Sequence, residues 1–363
     1  MKHSICILFV INFVVLTSCG KEEEVTPFEQ IVYTEKRDSI SHCDSIPDNN
    51  QIEIKIKSIC QKPDKYLAFC DIIHFHDKLY CVFRESFSHV PTKTNHPNGY
   101  LQIMSSNDNG ENWVQELTIK DEEWDLRDPC FCKNINEDIL NLYYGRYSVK
   151  DQSPAYKNGV YQLIDKNNSL EIYNHSIVNN DPYSKFWIWK VLLHNNKYYG
   201  IAYYKSNYPL LAESTDGVNF RVISEIEATG SEAGFCFLND RLYVFFRNDE
   251  KKKTALLAYS DFPYTTWNWI KLGVVLESPE CVIVNNDIYV LGRADNGVSV
   301  YKYNKGQENI DLIYNYPTKS SWYDYGYPGA IFYQGMLYAL FYMTNGQSTL
   351  PDIYLLTIPQ ERL

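Results

Sequence analysis

A unit recurs six times along the chain: an apolar strand, a short polar turn, and an aromatic-rich strand that ends in Arg or Tyr. Self-similarity at this spacing restricts the fold more than any other property, because one such unit cannot bury its apolar faces without its neighbours. The first copy runs from Cys70 through Ile73, turns at His76-Asp77-Lys78 and returns through Leu79 to Arg84. The second runs from Cys130 past Asn134 to Asp138, then from Ile139 to Tyr144 and Arg146. Val191 to Leu193, a turn at Asn195-Asn196-Lys197, and Tyr198 to Tyr204 make the third; Gly234 to Phe237, Asn239-Asp240-Arg241, and Leu242 to Arg247 make the fourth. The fifth is Cys281 to Val284, a turn at Asn285-Asn286-Asp287, and Ile288 to Arg293; the sixth is Gly329 to Phe332, Gln334-Gly335, and Met336 to Tyr342.

Further strands such as Leu101 to Ser105, Val160 to Ile164, Leu210 to Glu213, Ala255 to Tyr259 and Val298 to Tyr303 lie between these hairpins. Each unit therefore holds four short strands over roughly 45 to 60 residues, the sequence form of a β-propeller blade. No long helical periodicity competes with this reading. The last unit supplies only three strands, the third being Ile353 to Ile358, while a strand with alternating Ile52, Ile54 and Ile56 stands alone at the other end. The expected fold is all-β: a six-bladed propeller of four-stranded antiparallel blades over residues 51 to 363, closed by the N-terminal strand so that no edge is exposed.

The residues before this body read as an address. Lys2 and His3 precede an apolar run from Ile5 to Leu16, too short for a permanent membrane span, and Leu16-Thr17-Ser18-Cys19 resembles the lipobox of bacterial lipoproteins. That resemblance implies a signal peptide over 1–18, acylation of Cys19, and a polar tether over 19–50. Gly20 and Lys21 followed by Glu22, Glu23 and Glu24 look like the surface-export stretch of lipoproteins from Gram-negative bacteria. The expected location is extracytoplasmic, on the outer membrane through the lipid alone. Of ten cysteines, Cys6 and Cys19 belong to this leader. The rest show no paired metal motif and read as buried thiols, although export permits a disulfide such as Cys43 to Cys60. With 34 Lys+Arg against 45 Asp+Glu the net charge is −11, which gives no footprint for a nucleic-acid backbone.

Hairpin geometry brings the start of a blade's first strand and the end of its second to one end of the blade. Over six blades that end collects Arg84, Arg127, Asp128, Arg146, Trp189, Lys190, Glu232, Arg247, Glu280, Arg293, Asp324, Tyr325 and Tyr327. The opposite ends carry Asn, Asp, Lys and Gly. For any single residue of the first set a surface ion pair is the ordinary explanation, but recurrence at one register favours a ring around the axis. Guanidinium forks, carboxylates and aromatic faces in one ring suit an anionic sugar.

Ser106-Asn107-Asp108-Asn109-Gly110-Glu111-Asn112-Trp113 matches the Asp-box, and Ser214-Thr215-Asp216-Gly217-Val218-Asn219-Phe220 is a degenerate copy. With this box and the ring, residues 60 to 360 resemble the sialidase (neuraminidase) superfamily. The resemblance implies an exo-acting glycoside hydrolase that removes a terminal acidic sugar without a metal or organic cofactor. On its patterns Tyr327 is the nucleophile and Glu232 its partner, with Glu280 at the same register as an alternative. Arg247 and Arg293 fall at the second and third arginines of the substrate triad, and Arg84 precedes the acid/base loop. Two departures stand out: Tyr66-Leu67-Ala68-Phe69 occupies the place of the first triad arginine, for which Arg127 is the substitute, and His89 stands where the acid/base aspartate belongs. His89 or Asp128 is then the proton donor, and Lys190 and Trp189 complete the substrate contacts. Phe-Arg-Glu-x-x-x-His, Arg127-Asp128-Pro129 and Gly326-Tyr327-Pro328 look like a sialidase-like bacterial subgroup. A polysaccharide lyase using His89 and Tyr327, and a non-catalytic glycan-binding lipoprotein, remain open alternatives.

Overall fold

The computed structural model describes residues 53–94, 98–148, 155–178, 186–203, 208–227, 229–249, 254–318, 324–346 and 348–363. The expected leader, Cys19, the tether and Cys43 lie outside these residues. The strand β1 (Lys55–Cys60) is followed by β2 (Tyr66–Phe75), β3 (Lys78–Ser86), β4 (Tyr100–Ser106) and β5 (Val114–Ile119), which form blade 1. Blade 2 comprises β6 (Asp125–Lys133), β7 (Leu140–Ser148), β8 (Ala155–Lys166) and β9 (Ser169–Ile177); blade 3 comprises β10 (Trp187–His194), β11 (Lys197–Tyr203), β12 (Leu210–Ser214) and β13 (Arg221–Glu225). Blade 4 holds β14 (Gly230–Leu238), β15 (Arg241–Asn248), β16 (Thr254–Ser260) and β17 (Asn268–Val275), and blade 5 holds β18 (Glu277–Val284), β19 (Asp287–Ala294), β20 (Gly297–Asn304) and β21 (Asn309–Pro317). Blade 6 is β22 (Gly326–Tyr333), β23 (Met336–Met343) and β24 (Asp352–Pro359), completed by β1, which pairs antiparallel with β24 from Lys55↔Thr357 to Cys60↔Ile353.

Among the described residues, all 24 strands lie in six four-stranded antiparallel sheets, the propeller that the repeat predicts. Apolar side chains on both faces of each sheet meet those of the next, so the core is divided into six clusters, one at each junction between adjacent blades. The aromatic second strands fill these junctions with Tyr80, Phe83, Tyr144, Tyr198, Phe245, Phe246, Phe341 and Tyr342, all nearly inaccessible. Cys70, Cys81, Cys130, Cys132, Cys236 and Cys281 are buried free thiols within this packing.

Both Asp-box segments behave as turn locks. Asp108 accepts the Asn112 N–H at 2.8 Å and its side-chain amide at 2.7 Å, while Ser106 Oγ accepts the Gly110 N–H. Gly110 has a φ of +88°, and Trp113 Nε1 donates to its carbonyl. Asp216 repeats the pattern with Val218 and Asn219.

Candidate active site

The inner strands of the blades are not regular at the mouth. The register of β2 against β3, β6 against β7, β18 against β19 and β22 against β23 slips by one residue near that end, as a β-bulge requires. At these bulges Phe69, Asp128, Ser278 and Tyr327 adopt φ between 47° and 54°, where non-glycine residues are strained. Proline follows three of the four, at Pro129, Pro279 and Pro328, and needs no ladder donor there. All four bulge residues turn into one axial pocket, which Trp189 and Lys190 from blade 3 complete.

At its centre Tyr327 Oη donates to Glu232 Oε1 at 2.6 Å. The same carboxylate accepts Arg247 Nη1 at 3.0 Å and the Ser278 hydroxyl. Burial, then the charge of Glu232, push the Tyr327 phenol well above its ordinary value, with Arg293 opposing, so the phenol is neutral. Arg293 lies 5.3 Å from the Tyr327 ring and Trp189 lies 5.7 Å from it. Asp128 shares the pocket, and its carboxyl is raised to about 6, chiefly by burial and secondarily by Glu232 against the pull of Arg127 and His89.

His89 sits at the rim, its ring edge-on to Phe69 at 5.3 Å, while Phe69 packs edge-on to Tyr327 at 5.2 Å. Arg127 lies over the Phe69 and Tyr147 rings and donates to the His89 carbonyl. A second aromatic group, Tyr147, Trp187 and Trp189 with Tyr203 and Tyr327, walls the mouth on the blade 2 and blade 3 side.

Several expectations need correction. Arg84 does not line the pocket: it is fully buried and forks onto Asp125 at 2.7 and 3.2 Å. Arg146 points away to Asp121 and the Trp124 ring. Glu280 does not share the Tyr327 hydroxyl but pairs with Lys190 at 2.6 Å, and Lys190 also reaches Asp71 at 3.5 Å. Burial opposes the charge of Lys190, yet Asp71 and Glu280 outweigh it, so it remains an ammonium. Gly329 is required beside this cluster, because a Cβ there would lie 2.3 Å from Asp71 Oδ1.

The mouth is also not the arginine-dominated surface that the sequence implies. Arg84 and Arg127 share Asp125, Arg247 meets Glu232 and Asp249, and Arg293 binds Glu277. Glu277 leaves one trace in the sequence: it precedes Ser278-Pro279 in the same way that Arg127 precedes Asp128-Pro129 and Gly326 precedes Tyr327-Pro328. Phe69 and Tyr66, which stand in the missing arginine's place, pack against His89 instead. Among the described residues no group of three or more His, Cys, Asp or Glu is arranged to hold a metal ion.

Solved structures share this architecture. The chain is similar to a Trypanosoma rangeli sialidase in complex with 2,3-difluoro-KDN, with a TM-score of 0.62 and 12% identity over 82% of this chain. The fold is the sialidase propeller. The chain spans about half of that enzyme's length, 54%. A phage phi92 endosialidase matches with a TM-score of 0.62 at 10% identity, over 84% of this chain and 69% of its own. The NanB sialidase of Streptococcus pneumoniae matches with 0.60 at 12%, over 85% and 71%. At these identities the likeness shows the fold alone. No protein-family model and no curated protein matches the sequence.

Proposed function

We propose that the protein is an exo-acting, sialidase-like glycoside hydrolase that removes a terminal acidic sugar at the mouth of the propeller. The observation that carries this reading is the 2.6 Å bond between the Tyr327 phenol and the Glu232 carboxylate at the centre of the pocket. In the proposed reaction Tyr327 Oη attacks the anomeric carbon as the glycosidic bond breaks, and Glu232 takes the phenolic proton in the same step. A free tyrosinate, disfavoured by burial, is never required. Arg247 and Arg127, with 27% and 12% of their side chains exposed, meet the acidic group from their places beside Glu232 and Asp125, whereas Arg293 and Arg84 are more deeply buried against Glu277 and Asp125. Sialic acid bound in a Trypanosoma sialidase of this fold supports a carbohydrate ligand.

A panel of acidic glycosides, assayed for reducing sugar and ultraviolet absorbance side by side, tests the reading. Tyr327→Phe and Glu232→Gln each lower kcat/KM on the hydrolysed substrate by about 10²- to 10⁴-fold. Undiminished activity in both variants overturns the assignment. An unsaturated, absorbing product replaces hydrolysis by elimination, and saturable binding without turnover leaves a glycan-binding protein. The proposed setting is extracytoplasmic, with Cys19 carrying the lipid; metabolic labelling with palmitate is expected in the intact protein and absent in Cys19→Ala.

A further inference from the structure

His89, Tyr66 and Asp324 meet at the seam between blades 6 and 1. His89 Nδ1 is 2.8 Å from Tyr66 Oη and 3.1 Å from Asp324 Oδ2. Tyr66 donates its own hydroxyl proton to that carboxylate oxygen, and Tyr342 Oη donates to Oδ1 at 2.8 Å. A carboxylate only accepts, and the Tyr66 proton is already engaged, so the proton facing both groups sits on Nδ1 of the imidazole. Burial works against an ionised Asp324, but the bonds from His89, Tyr66 and Tyr342 hold its carboxyl below the usual range. Nε2 is then the one ring nitrogen able to exchange a proton with a substrate.

The ring is fixed as firmly as its tautomer. Phe69 and Tyr66 pack edge-on against it, at 5.3 and 5.7 Å, and Arg127 ties down its backbone carbonyl. Arg84 Nη1 holds the carbonyl of the preceding Ser88 at 3.0 Å. Asp128 is the remaining charged group that His89 feels from the pocket side. Even so, 41% of the His89 side chain is exposed. Asp128, by contrast, lines the pocket beside Tyr327, among the bulge residues. In an exo-acting enzyme the terminal sugar enters the pocket and the remaining chain stays outside, so the donor to the leaving oxygen belongs at the rim.

We infer that His89 is the proton-transfer residue on the leaving-group side and that Asp324, backed by Tyr66 and Tyr342, is the positioning residue that fixes its tautomer. The inference rests on the hydrolase reading above. In the imidazolium form, Nε2–H gives its proton to the glycosidic oxygen, which also keeps the electron pair of the breaking C–O bond. Tyr327 Oη forms the new bond to the anomeric carbon and its proton passes to Glu232. The neutral imidazole then takes a proton through Nε2 from the water that displaces Tyr327, and Glu232 returns its proton to the phenol. Asp128 is freed to bind a hydroxyl of the sugar ring.

Nitrogen-15 spectra of the full chain, with the His89 signals assigned by their loss in His89→Gln, read the tautomer without any substrate. In the neutral imidazole, wild type is expected to carry the proton on Nδ1 with Nε2 bare, and Asp324→Asn to shift it toward Nε2. A wild-type proton on Nε2 overturns the inference. Kinetics supply the second arm, on the acidic sugar hydrolysed in the panel: Asp324→Asn lowers kcat/KM, which reports the step that expels the leaving group, by about 10²-fold or more for a glycan leaving group. For the 2,4-dinitrophenyl glycoside, which departs without protonation, the loss stays below about tenfold by the same reasoning. Equal loss on both substrates overturns the positioning role. If Tyr327→Phe retains full activity on both, the hydrolase reading fails, while the tautomer measurement still decides how His89 is held.

Discussion

The two ends of each inner hairpin obey different rules. At the closed end, Asn195-Asn196, Asn239-Asp240 and Asn285-Asn286 take positive φ at both turn positions, the two-residue geometry that matches strand twist. Asn and Asp tolerate that conformation, so these turns carry little strain. At the mouth, positive φ falls on Phe69, Ser278 and Tyr327, at about 1–3 kcal/mol each for residues ill-suited to it, and on Asp128, which tolerates it. One end of the same ladder is built for stability and the other for aiming side chains inward. The blade cores hold the strained end in place, as a scaffold must if a site is to be preorganised.

The contrast can be broken most severely at the buried ion pair under the mouth. Glu277→Gln leaves the buried Arg293 without its counter-charge and is expected to cost about 3–5 kcal/mol in denaturant unfolding, whereas a loss under about 1 kcal/mol denies the mouth its dependence on pairing. Next comes pH. The fold raises Asp128 from 3.8 to about 6, so it favours the protonated carboxyl. The stability that this group contributes is complete below its unfolded value and is lost as pH rises through about 6. Asp128→Asn, which cannot ionise, should therefore gain in melting temperature relative to wild type between pH 4 and 7; a constant difference across that range contradicts the buried carboxyl. The smallest effect belongs to the closed end. Asp108→Ala removes the Asp-box acceptor, lowers the melting temperature only slightly and leaves kcat unchanged, and a change in kcat would show that the two ends are coupled.

What the sequence discloses follows the same division. Hairpins, the Asp-box and the closing strand are local or periodic, and local chemistry such as Asn-Asn turns and Ser-x-Asp-x-Gly identifies them directly. Register alone places Tyr327, Glu232, Arg247 and Trp189 together at the mouth. It could not separate Arg84 from Arg247, because both end second strands and only the third dimension shows that Asp125 encloses one of them. Glu280 and Glu232 look alike in the repeat, yet Glu232 sits inside the bulge between Gly230 and Ala233 while Glu280 pairs regularly with Leu291, and Lys190 claims the latter glutamate from a different blade. The bulges themselves left a trace in the repeated Asp-Pro, Ser-Pro and Tyr-Pro steps, which gain meaning only once the strands are seen to slip.

The pairing of β1 with β24 has a consequence in time. Lys55 meets Thr357 across about 300 residues, so the earliest strand of the propeller to be synthesised waits for the latest before it has a partner. Bringing such distant segments together costs about 5 kcal/mol of chain entropy by the logarithmic law of loop closure. Five blades are able to assemble sequentially from neighbours, but the sixth gains its fourth strand only once β24 has been made. Ring closure is thus the natural late, slow event of folding, and the blade that carries Tyr327 is the one that waits for it.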